Sequence, residues 1–187
     1  MTSILKVDQL QDSGGNNLIT SNGSGVITAA GFGKVGQVVY TEDQANTFQT
    51  SSTTAVDVTF NSTVFEASIT PTSTSSKILC MGIVPMRCLR NGSNDARMAL
   101  AVFAKIGSGS YSKIYGSTTN ASWIGGYDYG ASGLQFGTVV PVNLVYSPNT
   151  TSEVTFKYQV RTSNASATLE VNRQQVGTSF TLMEILP

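Results

Sequence analysis

The chain has 187 residues, and 40% of them are hydrophobic, which is enough for one packed domain with a smaller appendage. Only 12% are charged, and eleven basic residues balance eleven acidic ones. This balance offers no basic face for phosphate groups, so it argues against nucleic-acid binding. It also does little to oppose self-association, and no stretch is apolar enough for insertion into a membrane.

The first segment, residues 1–34, is predicted to be an arm. A short strand, "SILKVDQLQ", and a turn, "DSGGNN", precede "LITSNGSGVITAAG", which is typical of a hairpin around Asn22-Gly23. A hairpin this small seldom stands alone, so it must pack on the main domain or on neighbouring copies. The candidate attachment residues are Ile4, Leu5, Val7, Leu10, Leu18 and Ile19. The segment lacks the apolar core of a signal peptide, which predicts synthesis in a cytoplasm.

Strand patterns follow one another from residue 35 to residue 187. The turn-rich stretch "TEDQANTFQTSSTT" separates "VGQVVY" from "AVDVTF". The segment "KILCMGIVPMRCL", residues 77–89, is apolar on both faces, as expected of a strand that is covered on both sides. The closing "SFTLMEILP" is likewise predicted to be a strand buried on both faces.

The strictest alternation of apolar and polar residues lies in residues 153–161. It predicts a strand with one buried and one wet face, and the buried residues are Val154, Phe156, Tyr158 and Val160. No segment has the apolar spacing of a helix. Eight to ten short strands therefore predict an all-β fold, an antiparallel β-sandwich of the jelly-roll type, with an open barrel as the alternative.

Residues for catalysis are scarce. The chain has no histidine, which excludes the usual nucleophilic triads. Scattered carboxylates such as Asp57, Glu153 and Glu170 fall on wet strand faces, where a solvated charge is the ordinary explanation. Cys80 and Cys88 lie too far apart on one strand for a disulfide and are predicted to be buried free thiols. We therefore expect no enzyme activity, no metal and no cofactor.

The stretch "GFGKVG", residues 31–36, matches a dinucleotide-binding pattern in its letters alone. The pattern requires a helix after the glycines, whereas a strand pattern follows here, so a flexible joint between arm and domain is the better interpretation.

The stretch "SWIGGYDYG", residues 122–130, contains the only tryptophan. Trp123, Tyr127, Asp128 and Tyr129 are candidate contacts to a receptor, because aromatic rings beside a carboxylate suit recognition of a sugar or a protein. The alternative is that these rings close one end of the sandwich.

Several segments resemble small virion proteins of tailed bacteriophages, particularly marine and cyanobacterial ones. The resembling segments are "MTSILKVDQLQDSGGNNLITSNGSGVITAAGFGKVGQVV", "SITPTSTSSKILCMG", "NLVYSPNTTSEVTFKYQVRT" and "SFTLMEI". The resemblance implies a tail-fibre-like or decoration-type protein with an N-terminal attachment arm and a C-terminal β-sandwich head, commonly homotrimeric.

These observations predict a non-enzymatic component of a phage virion, of the short tail-fibre or knob type. Residues 1–34 would dock to other virion proteins, on the tail or the capsid, and residues 35–187 would form a homotrimeric head exposed to a host-surface glycan. The alternative is a capsid decoration, cement or head-fibre protein with a purely structural role.

Overall fold

The computed structural model describes residues 9–21, 27–29, 35–90, 96–118, 125–127 and 135–187. Regular secondary structure within these ranges is entirely β-strand, and the paired strands are antiparallel. No apolar helix long enough to span a membrane occurs in the described part of the chain. The chain divides into two compact units, residues 1–34 and residues 35–187.

The smaller unit contains a three-stranded sheet in the order β1-β2-β3. Its strands are β1 (Gln9–Gln11), β2 (Asn17–Ser21) and β3 (Ile27–Ala29). The pairing of β2 with β3 confirms the predicted hairpin, although its turn at Asn22-Gly23 lies outside the described residues. Between β1 and β2, the Asp12 carboxylate accepts hydrogen bonds from the backbone N–H groups of Gly14 and Asn16, at 2.8 and 2.9 Å.

The larger unit contains the remaining strands. They are β4 (Val35–Asp43), β5 (Phe48–Thr50), β6 (Val56–Asp57), β7 (Thr59–Phe60), β8 (Thr63–Val64), β9 (Glu66–Ile69), β10 (Lys77–Arg90), β11 (Ala96–Ile106), β12 (Ser112–Gly116), β13 (Gly125–Tyr127), β14 (Gln135–Tyr146), β15 (Val154–Thr162), β16 (Ala167–Val171) and β17 (Thr178–Ile185).

Two sheets of this unit form a jelly roll. The first sheet has the central order β4-β17-β10-β14, and the second has the order β9-β15-β11-β12. Strands β16 and β5 extend the first sheet, whereas β6 and β13 extend the second. Because chain neighbours such as β10 and β11 fall in different sheets, the order is that of two interlocked Greek keys. The predicted jelly-roll sandwich is thereby confirmed, and the open-barrel alternative is wrong.

The core lies between the two sheets. Val154, Phe156, Tyr158 and Val160 of β15 point into it and are almost completely buried, which confirms the alternation of residues 153–161. From the first sheet, alternate residues of β10 and β17 meet them. Their side chains are those of Ile78, Cys80, Val84, Met86, Cys88, Phe180 and Leu182. Both cysteines are free, as predicted, and burial raises the pKa of the Cys80 thiol to about 12.

One side chain connects the sheets directly. The ring of Tyr158, from the second sheet, stacks on Phe180 of the first with ring centroids 3.9 Å apart. Its hydroxyl donates a hydrogen bond of 2.8 Å to the backbone oxygen of Ser179. The tyrosine reaches this position because its neighbour on β10 is Gly82, where an added Cβ would lie only 2.3 Å from the hydroxyl oxygen.

A buried carboxylate joins β17 to the segment before β10. Glu184 accepts hydrogen bonds from the Gln37 side chain at 2.9 Å and from the backbone N–H and hydroxyl of Thr72 at 2.6 and 2.8 Å. Burial by itself raises the pKa of this carboxyl, but the hydrogen bonds from Gln37 and Thr72 help to outweigh it, and the pKa is lowered to about 2. The carboxylate therefore stays ionised and anchors the segment.

Three expectations about strands need correction. The turn-rich stretch between β4 and β6 contains strand β5, because its Phe48 pairs with Val171. The closing strand β17 buries one face only, since Phe180 and Leu182 are buried whereas Met183 and Ile185 are partly exposed. Strand β10 is likewise covered only in part on its outer face, where Pro85 is buried but Ile83 is exposed.

Candidate interaction surface

The predicted receptor contacts fall mostly outside the described residues. Trp123, Asp128 and Tyr129 lie there, and so does the side chain of Tyr127. Only the backbone of Tyr127 is described, and it pairs with Ala96 at the end of β13. These four residues stay a prediction.

The predicted attachment residues divide in the same way. Ile4, Leu5 and Val7 lie outside the described residues. Leu10, Leu18 and Ile19 belong to the small sheet, and all three side chains are exposed. Leu10 lies directly opposite Ile19 in the pairing of β1 with β2, so the two form one apolar cross-strand pair.

The outer face of the first sheet of the larger unit is apolar across four strands. Alternation along β10 places Leu79, Met81 and Ile83 on this face, and the pairing register places their neighbours beside them. We call it the apolar face. Its apolar residues are Val38 and Tyr40 of β4, Met183 and Ile185 of β17, Leu79, Met81 and Ile83 of β10, and Val139, Pro141 and Val145 of β14. The same register places three polar residues among them, Ser179, Thr181 and Asn143. Val38, Tyr40, Ile83, Val139 and Val145 are between 37% and 60% exposed.

A row of polar side chains borders the apolar face where β10 continues toward Arg90. The Glu170 carboxylate is buried and pairs with Arg87. It also accepts a hydrogen bond of 2.7 Å from the Gln49 side chain. Arg87 in turn donates to the Gln135 side chain at 2.7 Å, so the row crosses β5, β16, β10 and β14. The expectation that Glu170 is a solvated charge is wrong, because two neighbouring strands supply its partners.

A cleft of about 290 Å³ opens between the apolar face and this polar row. Its walls include Pro85 and Val139 of the paired strands and Arg173 and Val176 of the turn between β16 and β17. Arg173 lies 3.6 Å from the Glu170 carboxylate, and the pair extends the polar row into the cleft. The cleft therefore combines apolar walls with a charged rim.

The outer face of the second sheet has a different character. On β15, Lys157 forms an ion pair of 2.7 Å with Asp57 and lies over the Tyr111 ring, 3.8 Å from its centroid. Thr155 shares a hydrogen bond of 2.9 Å with Ser68. The face of β15 that was predicted to be wet is polar, but Thr155 and Lys157 are buried and paired within the sheet, so the prediction of solvent exposure is wrong for these residues. The outer face of the first sheet is thus mainly apolar, whereas the outer face of the second sheet is polar.

A second cleft, of about 360 Å³, gathers three carboxylates, those of Glu42, Asp43 and Glu66. Each carboxylate already has a partner, because Asp43 accepts from Asn46 at 2.8 Å and Glu66 accepts from the Tyr111 hydroxyl at 2.7 Å. Glu42 accepts a hydrogen bond from Gln44. No group of three or more histidine, cysteine, aspartate or glutamate residues suited to a metal ion occurs among the described residues.

No protein-family model matches the sequence, and no curated protein does either. Solved structures that are similar come from infectious bursal disease virus. A chain of the T13 viral particle shares 17% identity at a TM-score of 0.40, with 87% of this chain and 38% of that chain covered. A chain of the Gx strain shares 14% identity at a TM-score of 0.40, with 87% and 39% covered.

A chain of the VP2 subviral particle shares 12% identity at a TM-score of 0.36, with 87% of this chain and 42% of that chain covered. This protein thus spans about two fifths of the chains it matches. At this level of similarity nothing about function follows from the likeness.

Proposed function

We propose that this chain is a structural protein of a virion, of the short tail-fibre or knob type. In this proposal residues 1–34 dock to other virion proteins, and residues 35–187 form a homotrimeric head that is exposed for recognition of a host-surface glycan. The protein is located in the virion and has no enzyme activity. The resemblance of its segments to small phage virion proteins provides the starting point.

The observation that carries the proposal is the jelly-roll head with one apolar and one polar outer face. A sandwich whose outer faces are both solvated has no need of like neighbours. Here four adjacent strands present apolar side chains to the outside, which is the composition of an assembly surface. The exposed pair of Leu10 and Ile19 gives the smaller unit an apolar contact of its own.

Protein composition of purified particles tests the proposal. We expect this chain in particles of the phage that encodes it, at a few copies for each tail. Its absence from particles would contradict any virion role. Hundreds of copies spread over the shell would instead favour the second candidate, a decoration, cement or head-fibre protein with a purely structural role.

Host recognition requires a separate experiment. The purified full-length chain, added in excess, is expected to slow adsorption of phage to its host, because it occupies the same surface glycan. A substitution of Trp123 by alanine should abolish the competition, whereas a substitution of Tyr115, an exposed aromatic residue of β12, should not. Equal competition by both variants would exclude the predicted aromatic contact.

A further inference from the structure

We propose that the apolar face of the first sheet packs against a second copy of this chain. The inference rests on the proposed function only in that both require assembly. It goes further by naming the surface and its occupant.

The first argument comes from β10 itself. Its sequence is apolar on both faces, the pattern of a strand that is covered on both sides. The fold covers the inner face fully and the outer face only in part: Val84 is completely buried, whereas its neighbour Ile83 is 37% exposed, although Pro85 is buried. The same holds for β17, where Leu182 is buried and Met183 is partly exposed. The composition of both strands therefore predicts that their outer faces pack against another surface. The described part of the chain does not supply that surface.

The second argument is the size of the face. Four strands at a spacing of about 4.8 Å, with lengths of 8 to 14 residues at about 3.3 Å each, cover an area of about 600 Å² in projection. A standard protein interface buries about 800 Å² on each partner. The apolar face and its polar border are thus of the size that one copy needs for a stable contact.

The third argument is the distribution of polarity. Apolar side chains predominate between the ion pair of Arg87 and Glu170 at one end of the face and Lys77 at the other, although Thr181 and Asn143 lie beside Met81. An apolar centre with a polar rim is the usual anatomy of a specific interface. A near-neutral chain adds little charge repulsion between copies, so a like copy fits this surface better than a strongly charged partner would.

A matched pair of lysine substitutions tests the inference. Ile83 lies on the apolar face between Ser179 and Pro141 and is 37% exposed. Ile106 lies at the end of β11 in the second sheet and is 38% exposed. Ile83→Lys and Ile106→Lys therefore make the same chemical change at the same exposure. The measurement is the mass of the full-length chain by sedimentation across a concentration series.

We expect the unsubstituted chain to sediment as a multiple of its 19.7 kDa mass. Ile83→Lys should weaken the self-association constant at least about tenfold, because a lysine at the centre of an interface loses its hydration. Ile106→Lys should leave the constant unchanged. A far-UV circular dichroism spectrum identifies any variant that has lost the fold. In that case Val145→Lys, at a 60% exposed position on β14, replaces Ile83→Lys with the same expectation.

Two results overturn the inference. The first is that the unsubstituted chain sediments as a single copy, and the second is that the two lysine variants associate equally. Neither result bears on whether the protein occurs in particles, but the first would also contradict the proposed homotrimeric head. Conversely, a chain that assembles through this face but is absent from particles would refute the proposed function and leave the inference intact.

Discussion

Replacement of Gly82 by alanine is expected to destabilise the head by about 1.5–3.5 kcal/mol, because the added methyl group enters the contact between the sheets. The new Cβ would lie 2.2 Å from the backbone oxygen of Ser179 and 2.3 Å from the Tyr158 hydroxyl oxygen. Both distances are far below van der Waals contact, so the Ser179 backbone and the tyrosine must both move. Its hydrogen bond to Ser179 is then lost.

The magnitude has three parts. Insertion of a methyl group into a packed core costs about 1–3 kcal/mol. Loss of the hydrogen bond adds about 1 kcal/mol. Alanine lowers the conformational entropy of the unfolded chain relative to glycine, and this stabilises the folded state by about 0.5 kcal/mol. The net loss should appear in urea unfolding followed by tyrosine and tryptophan fluorescence, at one fixed protein concentration, because self-association also contributes to apparent stability.

Gly137→Ala is the matched control. This glycine lies on β14, next to β10, and an added Cβ would meet nothing closer than the Met86 backbone oxygen at 3.8 Å. Its substitution should change the free energy of unfolding by less than about 1 kcal/mol.

A double-mutant cycle tests the cause. Tyr158→Phe removes the hydroxyl that the methyl group strikes, so the combined substitution with Gly82→Ala should cost less than the sum of the two single changes. Strict additivity, or a loss below 0.5 kcal/mol for Gly82→Ala alone, would refute the idea that Tyr158 holds the sheets together through this gap.

Three further predictions concern buried groups. The unsubstituted head should lose stability as the pH falls from about 4.5, the ordinary value for a glutamate, to about 2, because the pKa of Glu184 is lowered in the folded state only; urea unfolding at several pH values should show that Glu184→Gln lacks most of this dependence. The two buried thiols, whose pKa values burial raises to about 12 and about 11, should not react with Ellman's reagent at pH 8 until urea unfolds the chain, and rapid reaction of the native protein would disprove their burial. Glu170→Ala should cost about 1–3 kcal/mol in thermal or urea unfolding because it leaves Arg87 without its carboxylate, whereas Glu153→Ala at an exposed position should cost less than about 0.5 kcal/mol.

The local pattern of the chain predicts the strands well. Alternation with a period of two identifies β15, and its four inward residues are those expected. A strand that packs one face against the core produces this alternation directly, because successive side chains point to opposite faces of the sheet. The class of fold follows from many such segments without any helix.

The sequence pattern does not predict which strands pair with each other. Strand β4 pairs with β17, although Phe180 and its partner Thr41 are more than a hundred residues apart. Nothing in the alternation of either strand encodes the identity of its neighbour, because any apolar strand face fits several others. For the same reason the partner of Glu170 could not be predicted: Arg87 is brought beside it only by the pairing of β10 with β16.

The sequence did contain a signal for the apolar face, but we interpreted it as evidence for a strand buried inside the domain. Apolar residues on both faces of residues 77–89 predicted a strand covered twice within the domain. The structure leaves Ile83 and its neighbours on the outside, so the same pattern now indicates a contact with another molecule. The receptor contact at Trp123 remains a prediction, because aromatic residues between glycines specify neither a position nor a ligand.

The pairing of the first sheet has a consequence for biosynthesis. Strand β10 uses β16 and β17 as its neighbours on one side, and both are made some 80 to 95 residues later. At about 5–20 residues per second, a ribosome needs several seconds to deliver them. During that interval the apolar strand β10 has one unpaired edge. Other nascent chains on the same messenger RNA expose the same unpaired edge nearby. A chaperone that binds this edge, or wide spacing of ribosomes on the messenger RNA, would prevent such strands from pairing between chains. Production of the head in quantity therefore depends on one of these conditions.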